Sequence, residues 1–367
     1  MRLELYVERG DTRPPGSVHL GRVVRVVPGL DAALVDIGDD RPALLRRRDA
    51  GGGDLTEGAR VVAQVRREAR VDKAPLLTGK IAAPDLPALA ERAARLDPPT
   101  QIFPAPGFAT ALGLRLPRKP ERVVSDDTAI VPELRAAFPG SKVAQQLVSE
   151  WPLDLDATFE AALAPSIVLR GGGSLHIEET RTATMIDVDT GTPDGGTAGR
   201  AALAVNRAAT TTIARQIRLR NLSGPIVIDF VGLAMGVGCR DHRERLRQTL
   251  AAAVAGDPAK PEVLGWTRLG HLELVRPRRG RSLTEAMLTP GSPAKTPLTL
   301  AYEALRRLQR ESRARPAARW RLRVATAIEA ALRGPAAGAL TALESRLGKP
   351  IAIAVERGQD GFDIEAI

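Results

Sequence analysis

Cysteine is almost missing from this sequence: Cys239 is the only one in 367 residues, which excludes an intrachain disulfide and any cysteine-based zinc cluster within one chain. Histidine is scarce as well. His19, His176, His242 and His271 lie too far apart along the chain for a helical pair of metal ligands. No run of about 18 apolar residues occurs, so no membrane span is expected. The opening residues, MRLELYVERGD, are charged from the second position and lack the apolar centre of a signal peptide. Taken together, these absences lead us to expect a cytoplasmic protein without disulfides. Any metal it uses should be held mainly by carboxylates, which favours magnesium or manganese over zinc.

Positive charge is plentiful. Lys and Arg number 53 against 43 Asp and Glu, a net charge of +10. Such an excess suits a polyanionic partner, either nucleic acid or an anionic membrane surface, although a basic enzyme without such a partner has the same totals. The length allows two or three domains. Residues 18–83 read as five short strands with turn signals, among them VHLGRVVRVV and DAALVDIG around the Pro28-Gly29 turn, and suggest a small barrel of the OB type. Periodicity alone also permits a fragment of a β-sandwich. Between 84 and 125 proline and arginine dominate and periodicity is weak. Residues 126–170 look mixed, with a helix expected around Asp156–Leu163.

The segment 171–283 is more informative. A Gly-Gly-Gly-Ser turn leads into the strands LHIEET and TATMIDVD, then a Gly/Thr-rich loop, TGTPDGGTAG, and a helix from about Arg200 to Leu219. PIVIDFVGL follows as a buried strand, and another helix spans roughly 239–255. Strand, helix and apolar strand in this order imply an α/β sheet. Residues 284–298 read as a Pro/Ser/Thr-rich linker. Beyond it a helix over 299–314, the strand WRLRVAT, a helix over 336–347 and the strand PIAIAVER form a small α+β tail domain.

Alternation in TATMIDVD puts Asp187 and Asp189 on one face of a strand and Ile186 and Val188 on the other. Asp229 ends the apolar run PIVI. Acidic residues at the ends of neighbouring sheet strands lie where open α/β folds bind ligands. Two carboxylates there can hold one Mg²⁺, which takes its remaining ligands from water and phosphate oxygens. They also fit a plainer role as solvated strand ends and turn caps. Between 205 and 247 arginine outnumbers acid by eight to three, with Arg207, Arg215, Arg218, Arg220, Arg240, Arg243, Arg245 and Arg247. Arg276, Arg278 and Arg279 form a second cluster. Charge runs are usually solvated faces, but this one suits a phosphate backbone lying across a metal.

GGGSLHIEETRTATMIDVDTG, NRAATTTIARQIRLRNLSGPIVIDFVGL and WTRLGHLELVRPRRGRSL resemble, in order and spacing, the catalytic segment of the ribonuclease E/G family. The resemblance is densest over 171–283 and looser in the barrel and tail. It implies an α+β multidomain fold: a ribonuclease-H-like subdomain from 1–17 and 126–170, an S1/OB-type RNA-binding β-barrel inserted at 18–83, and a degenerate 5′-sensor region at 84–125. A DNase-I-like α/β catalytic subdomain at 171–283, the linker 284–298 and a C-terminal domain at 299–367 complete the expected plan. The implied activity is Mg²⁺-dependent cleavage of single-stranded RNA, with Mn²⁺ as a substitute and no zinc. The family's metal-binding and catalytic aspartates fall on Asp187 and Asp229. Asp189 takes a position that is usually Asn and is a further candidate ligand. Lys73, Asn206, Arg215, Arg218, Lys260 and Arg268 are the expected RNA contacts.

Four departures qualify this picture. SLTEAMLTPGSPAKTP has no cysteine where the family has its zinc link, so any oligomer must form without one. IFPAPG at 102–107 carries Pro104 and Ala105 in place of the Arg-Thr pair that reads a 5′-phosphate. Residues 17–83 contain no Phe, Tyr or Trp, and the family's stacking positions fall on Leu34, Ile37 and Leu44. Base–aromatic stacking is worth roughly 1–3 kcal/mol per base, so the barrel should hold RNA mainly by charge. Gly232 replaces an aspartate. Two readings follow: an endoribonuclease with little 5′-end sensing, in RNA processing or decay, or an RNA-binding protein of the same fold that has lost turnover.

Overall fold

In the computed structural model, the described residues are 4–9, 14–52, 55–69, 73–82, 85–116, 118–191, 198–232, 239–356 and 358–367, with backbone alone at 198–201 and 239. The chain divides into two compact units. One comprises Asp11–Asp154 and the other Met1–Gly10 with Leu155–Ile367.

The first unit begins with β1 (Val18–Val27), β2 (Ala32–Asp36), β3 (Ala43–Arg46), β4 (Arg60–Arg67) and β5 (Leu76–Thr78). They join in the order β1-β2-β3-β5-β4 and back to β1, which closes a five-stranded barrel. All these pairings are antiparallel except β3 with β5. Its interior is filled by Val23, Ala33, Val35, Ile37, Ala43, Leu45, Val61, Ala63, Val65 and Leu77. Alanines at three inward positions fit a barrel too narrow for a layer of large side chains. Ile37 belongs to this core at 2% exposure, so it cannot stack on a base as the resemblance implied. Leu34 and Leu44 are half-exposed cross-strand partners.

α1 (Leu86–Arg95) starts at an Asp85 N-cap, whose side chain accepts from Ala88 N. β6 (Thr100–Phe103) adds to β1. Helix α2 (Phe108–Arg115), β7 (Arg122–Ser125), α3 (Val131–Ala137) and β8 (Lys142–Gln145) follow, with β7 and β8 paired in parallel. Residues 126–154 thus cluster with the barrel, whereas the expected plan grouped them with the N-terminus.

The second unit opens with α4 (Leu155–Leu163), β9 (Ser166–Val168), β10 (Ser174–Glu179), β11 (Thr184–Asp189), α5 (Ala198–Leu219) and β12 (Gly224–Asp229). Next come α6 (Cys239–Val254), β13 (Glu262–Trp266) and β14 (Leu272–Arg276). The sheet order is β13-β14-β12-β11-β10-β9. Among these pairings only β11–β12 is parallel, joined through α5 as a β-α-β unit requires. Alternation gives the sheet one apolar face: Leu175, Ile177, Ile186, Val188, Ile226, Ile228, Leu272 and Leu274 pack under Val205, Ile213 and Ile217 of α5 and Leu246, Leu250 and Val254 of α6. Residues 192–197, which include most of the expected Gly/Thr-rich loop, and 233–238 lie outside the described residues.

The expected linker is structured instead. α7 (Leu283–Met287) begins with a capping box between Ser282 and Glu285, and Leu288 bridges to Lys295. α8 (Pro297–Ala314), β15 (Trp320–Val324), α9 (Thr326–Arg333), α10 (Ala337–Leu347), β16 (Ala352–Val355) and β17 (Phe362–Ala366) form the tail, a three-stranded sheet with its own core around Trp320, Leu322 and Leu308. Among the described residues no helix is long and apolar enough to cross a membrane.

Candidate functional site

The face of the second unit's six-stranded sheet opposite α5 and α6 carries the polar residues. Along β11 the side chains alternate, with Thr184, Ile186 and Val188 buried and Met185, Asp187 and Asp189 exposed. On β12 Ile226 and Ile228 are buried and Asp229 is exposed. Asp187 and Asp229 are direct partners in the parallel register. Adjacent strands run about 4.8 Å apart, so the two carboxylates are within reach of a common ligand.

The row extends to both sides. His176 of β10 is paired with Asp187, and Ser166 of β9 with His176. Ser166 Oγ and His176 Nδ1 are 3.0 Å apart. On the other side, His271 leads into β14 and its Nε2 lies 3.6 Å from Asp229 Oδ2. Ser166, His176, Asp187, Asp229 and His271 therefore cross the sheet in line. The sequence spacing excluded a helical His-x-x-x-His or similar metal pair; topology nevertheless brings two of the four histidines to one row, on opposite sides of the aspartates. Strand alternation could have revealed His176. His271 could not be placed because β13 and β14 were not predicted.

Among the described residues neither aspartate pairs with Lys or Arg, and no three His, Cys, Asp or Glu side chains form a ready-made metal cage. Two exposed carboxylates without a basic partner still fit an ion that keeps most of its water, as magnesium does. Asp189 uses Oδ1 to accept from Gly191 N at 3.0 Å, which caps the turn after β11. Gly173, at φ 78°, holds that turn closely: a Cβ there would meet the Asp189 carbonyl at 2.4 Å.

The expected RNA contacts separate into distinct groups. Asn206 is fully buried. Its Nδ2 donates to the Val231 carbonyl at 2.9 Å, and its Oδ1 accepts from Val231 N at 3.1 Å. With both ends of the amide engaged, Asn206 holds the chain two residues past Asp229 and has no face left for RNA. Arg218 is also mostly buried; it pairs with Glu4 and donates to the Gly256 carbonyl. Its neighbour Arg215 is exposed, although three-residue spacing had placed both on one face. Lys260 is exposed in a left-handed turn at φ 53°, and Arg268 is exposed in the turn that precedes His271. Lys73 is exposed in the other unit.

Much of the arginine field is likewise structural. Arg220 is buried, donates to Gln216 and to the Ala164 carbonyl, and lies near Glu179. Burial raises the Glu179 pKa above the usual carboxylate value, while Ser282, Thr284 and Arg220 oppose the rise. Arg276 is locked on Asp257 at 2.7 Å and on the Leu222 carbonyl. Arg278 and Arg247 pair with Glu285 and Glu244. Arg207, Arg215, Arg240 and Arg245 stay exposed on α5 and α6, on the layer behind the aspartate face.

The pattern of the Ribonuclease E/G family matches residues 128–279. This segment is similar to the ribonuclease E/G family. This match contains Asp187, Asp229, the two helices behind them and the β13–β14 hairpin. Ribonuclease G of Salmonella typhimurium is 33% identical over 221 residues, 58% of this chain and 44% of the relative. Ribonuclease G of Escherichia coli K12 is 32% identical over the same shares. Ribonuclease E of Nostoc is 26% identical over 364 residues, 74% of this chain and 52% of the relative. The chain thus spans about half the length of these curated relatives of the ribonuclease E/G family.

Proposed function

We propose that this protein is a divalent-metal-dependent endoribonuclease that cleaves single-stranded RNA. The observation that carries the reading is the pairing of Asp187 with Asp229 on the open sheet face, within the segment that matches the ribonuclease E/G family. Asp187 and Asp229 would hold Mg²⁺, with Asp189 beside them. Bound there, magnesium would supply water activation and charge compensation at the scissile phosphate. Asn206 fixes the chain after Asp229, so the second carboxylate stays in register with the first. Exposed Lys260, Arg268 and Arg215 are the candidate phosphate contacts in this unit, and Lys73 in the other.

The closed barrel fits an S1-type RNA-binding role, and the sheet with α5 and α6 fits a DNase-I-like catalytic subdomain. Without the Arg-Thr pair, IFPAPG offers no guanidinium fork for a 5′-phosphate. Cleavage should therefore be indifferent to the 5′ end, in a cytoplasmic RNA-processing or decay role, and any oligomer should form without a zinc link.

The test is cleavage of an end-labelled A/U-rich RNA with Mg²⁺, carrying either a 5′-monophosphate or a 5′-hydroxyl. We expect equal cutting of both, lost in Asp229→Asn and in Asp187→Asn while binding persists. Cutting that survives in either variant would refute the assignment. Binding without cutting in the wild type would make the protein an RNA-binding relative.

A further inference from the structure

We propose that the sheet face beside Asp187 and Asp229 is a nucleobase subsite, in which Glu273 selects a base with an exocyclic amino group next to the cut and disfavours uracil. This rests on the endoribonuclease reading above and adds to it a determinant of base preference. One step down the strands from the aspartates, Met185 and Val227 are direct partners on β11 and β12. They share the face of Asp187 and Asp229, two residues or about 6.6 Å away. Met185 is 38% exposed and Val227 is half-buried, so together they form an apolar floor. Glu273 of β14 is the partner of Val227, and Glu178 of β10 is the partner of Met185. The row thus reads Glu178, Met185, Val227, Glu273, an apolar strip with a carboxylate at each end.

Charge decides which part of an RNA this row can take. The end of the sheet beyond the aspartates has Arg170 and Arg268 exposed in its turns. Below the aspartates, the strand positions on the same face include Glu178, Glu273 and Glu262 and, among the described residues, no lysine or arginine. Phosphates are attracted to the first region and repelled from the second. A strand whose scissile phosphate lies at Asp187 and Asp229 must therefore turn a base, not its backbone, toward Met185 and Val227.

Glu273 suits the reading role better than Glu178. It is half-buried whereas Glu178 is exposed, and neither carboxylate has a hydrogen bond or ion pair among the described residues. A partly desolvated carboxylate without a donor gains more from an incoming N–H than a solvated one. Space beside it is open: its partner on β13 is Gly265, at a bulge, and even an added Cβ there would meet nothing within 4 Å. An ionised carboxylate only accepts hydrogen bonds. Adenine, cytosine and guanine offer it an amino group, whereas uracil presents a carbonyl oxygen on either side of its one ring N–H.

The experiment uses the full chain and single-stranded RNAs of one sequence, varied on each side of the mapped cut in turn as adenine, purine without the amino group, cytosine or uracil. Cleavage is followed with Mg²⁺. Affinities for oligo(C) and oligo(U) of equal length are measured separately, by fluorescence anisotropy in EDTA. At one of the two positions, kcat/KM should be at least about tenfold higher for adenine than for purine and for cytosine than for uracil. Oligo(C) should likewise bind more tightly than oligo(U). Glu273→Gln, whose amide both accepts and donates, should bring these ratios close to one, while Glu178→Gln keeps them. Equal cutting of all the RNAs by the wild type, or ratios unchanged in Glu273→Gln, would overturn the subsite and leave the endoribonuclease standing. If no RNA is cut, the endoribonuclease reading fails and the affinities decide the subsite alone. A preference for oligo(C) that Glu273→Gln removes sustains it, and equal affinities overturn it.

Discussion

Asn206 shows how a single buried amide can govern a carboxylate that it never touches. It satisfies both polar groups of Val231 from the side of α5, just beyond Asp229. Truncation to alanine leaves the part-buried carbonyl and N–H of Val231 without their side-chain partner, and a group that water does not reach would cost about 1–3 kcal/mol. Asn206→Ala should therefore lower the unfolding free energy in urea by up to about 1–3 kcal/mol, and lower cleavage beyond what RNA binding loses. Unchanged stability would show that Val231 finds other partners. Glu179 makes a second residue-scale case, with a pH signature. Its folded pKa is raised by burial, so its contribution to stability is fully present below the ordinary value and lost as pH rises through the folded one. Between pH 4 and pH 8 the wild type should lose stability relative to Glu179→Gln, as measured by urea unfolding at each pH. A gain in that direction would reverse the assigned shift.

At the scale of elements, the parallel pair β11–β12 is held from below by α5 and α6, and the turn after α6 is tied to β14 by Arg276. That guanidinium bonds Asp257, Asn221 and the Leu222 carbonyl, so one side chain joins the ends of α5, α6 and β14. Asp257→Asn leaves a buried arginine without its counter-charge, and breaking such a pair costs about 3–5 kcal/mol. Denaturant unfolding should show a loss of that order, and a loss below 1 kcal/mol would mean that water reaches Arg276. β11, α5, β12 and α6 were legible in the sequence because period-two and period-3.6 patterns agree there with turn residues. β13 was not, since Gly265 interrupts its alternation at a bulge in the pairing with β14. α9 and β17 escaped notice because each is short and leans on the tail core for its stability. The linker was misjudged for a related reason: composition rich in Pro, Ser and Thr also describes a capping box and a Thr296 N-cap.

Across the whole molecule a net charge of +10 does not say which cations would face the proposed RNA. The pattern of arginines suggested one continuous phosphate-binding field, but charge in a sequence carries no information about burial. Arg218, Arg220 and Arg276 turned out to be internal fasteners, while Arg207, Arg215, Arg240 and Arg245 remain exposed. The two classes make opposite predictions. On single strands each phosphate neutralised contributes about −0.7 to the slope of log affinity against log salt. Arg215→Gln and Arg268→Gln should each flatten the slope by about that amount if the side chain contacts a phosphate, with little change in melting temperature. Arg276→Gln should do the reverse, lowering the melting temperature while the fraction that remains folded binds with the wild-type slope. Filter binding of a single-stranded RNA across a salt series, run beside thermal unfolding of the same variants, separates them. If Arg215→Gln and Arg268→Gln left the slope untouched, the RNA path would have to run elsewhere, with Lys260 and Lys73 as the next positions to test.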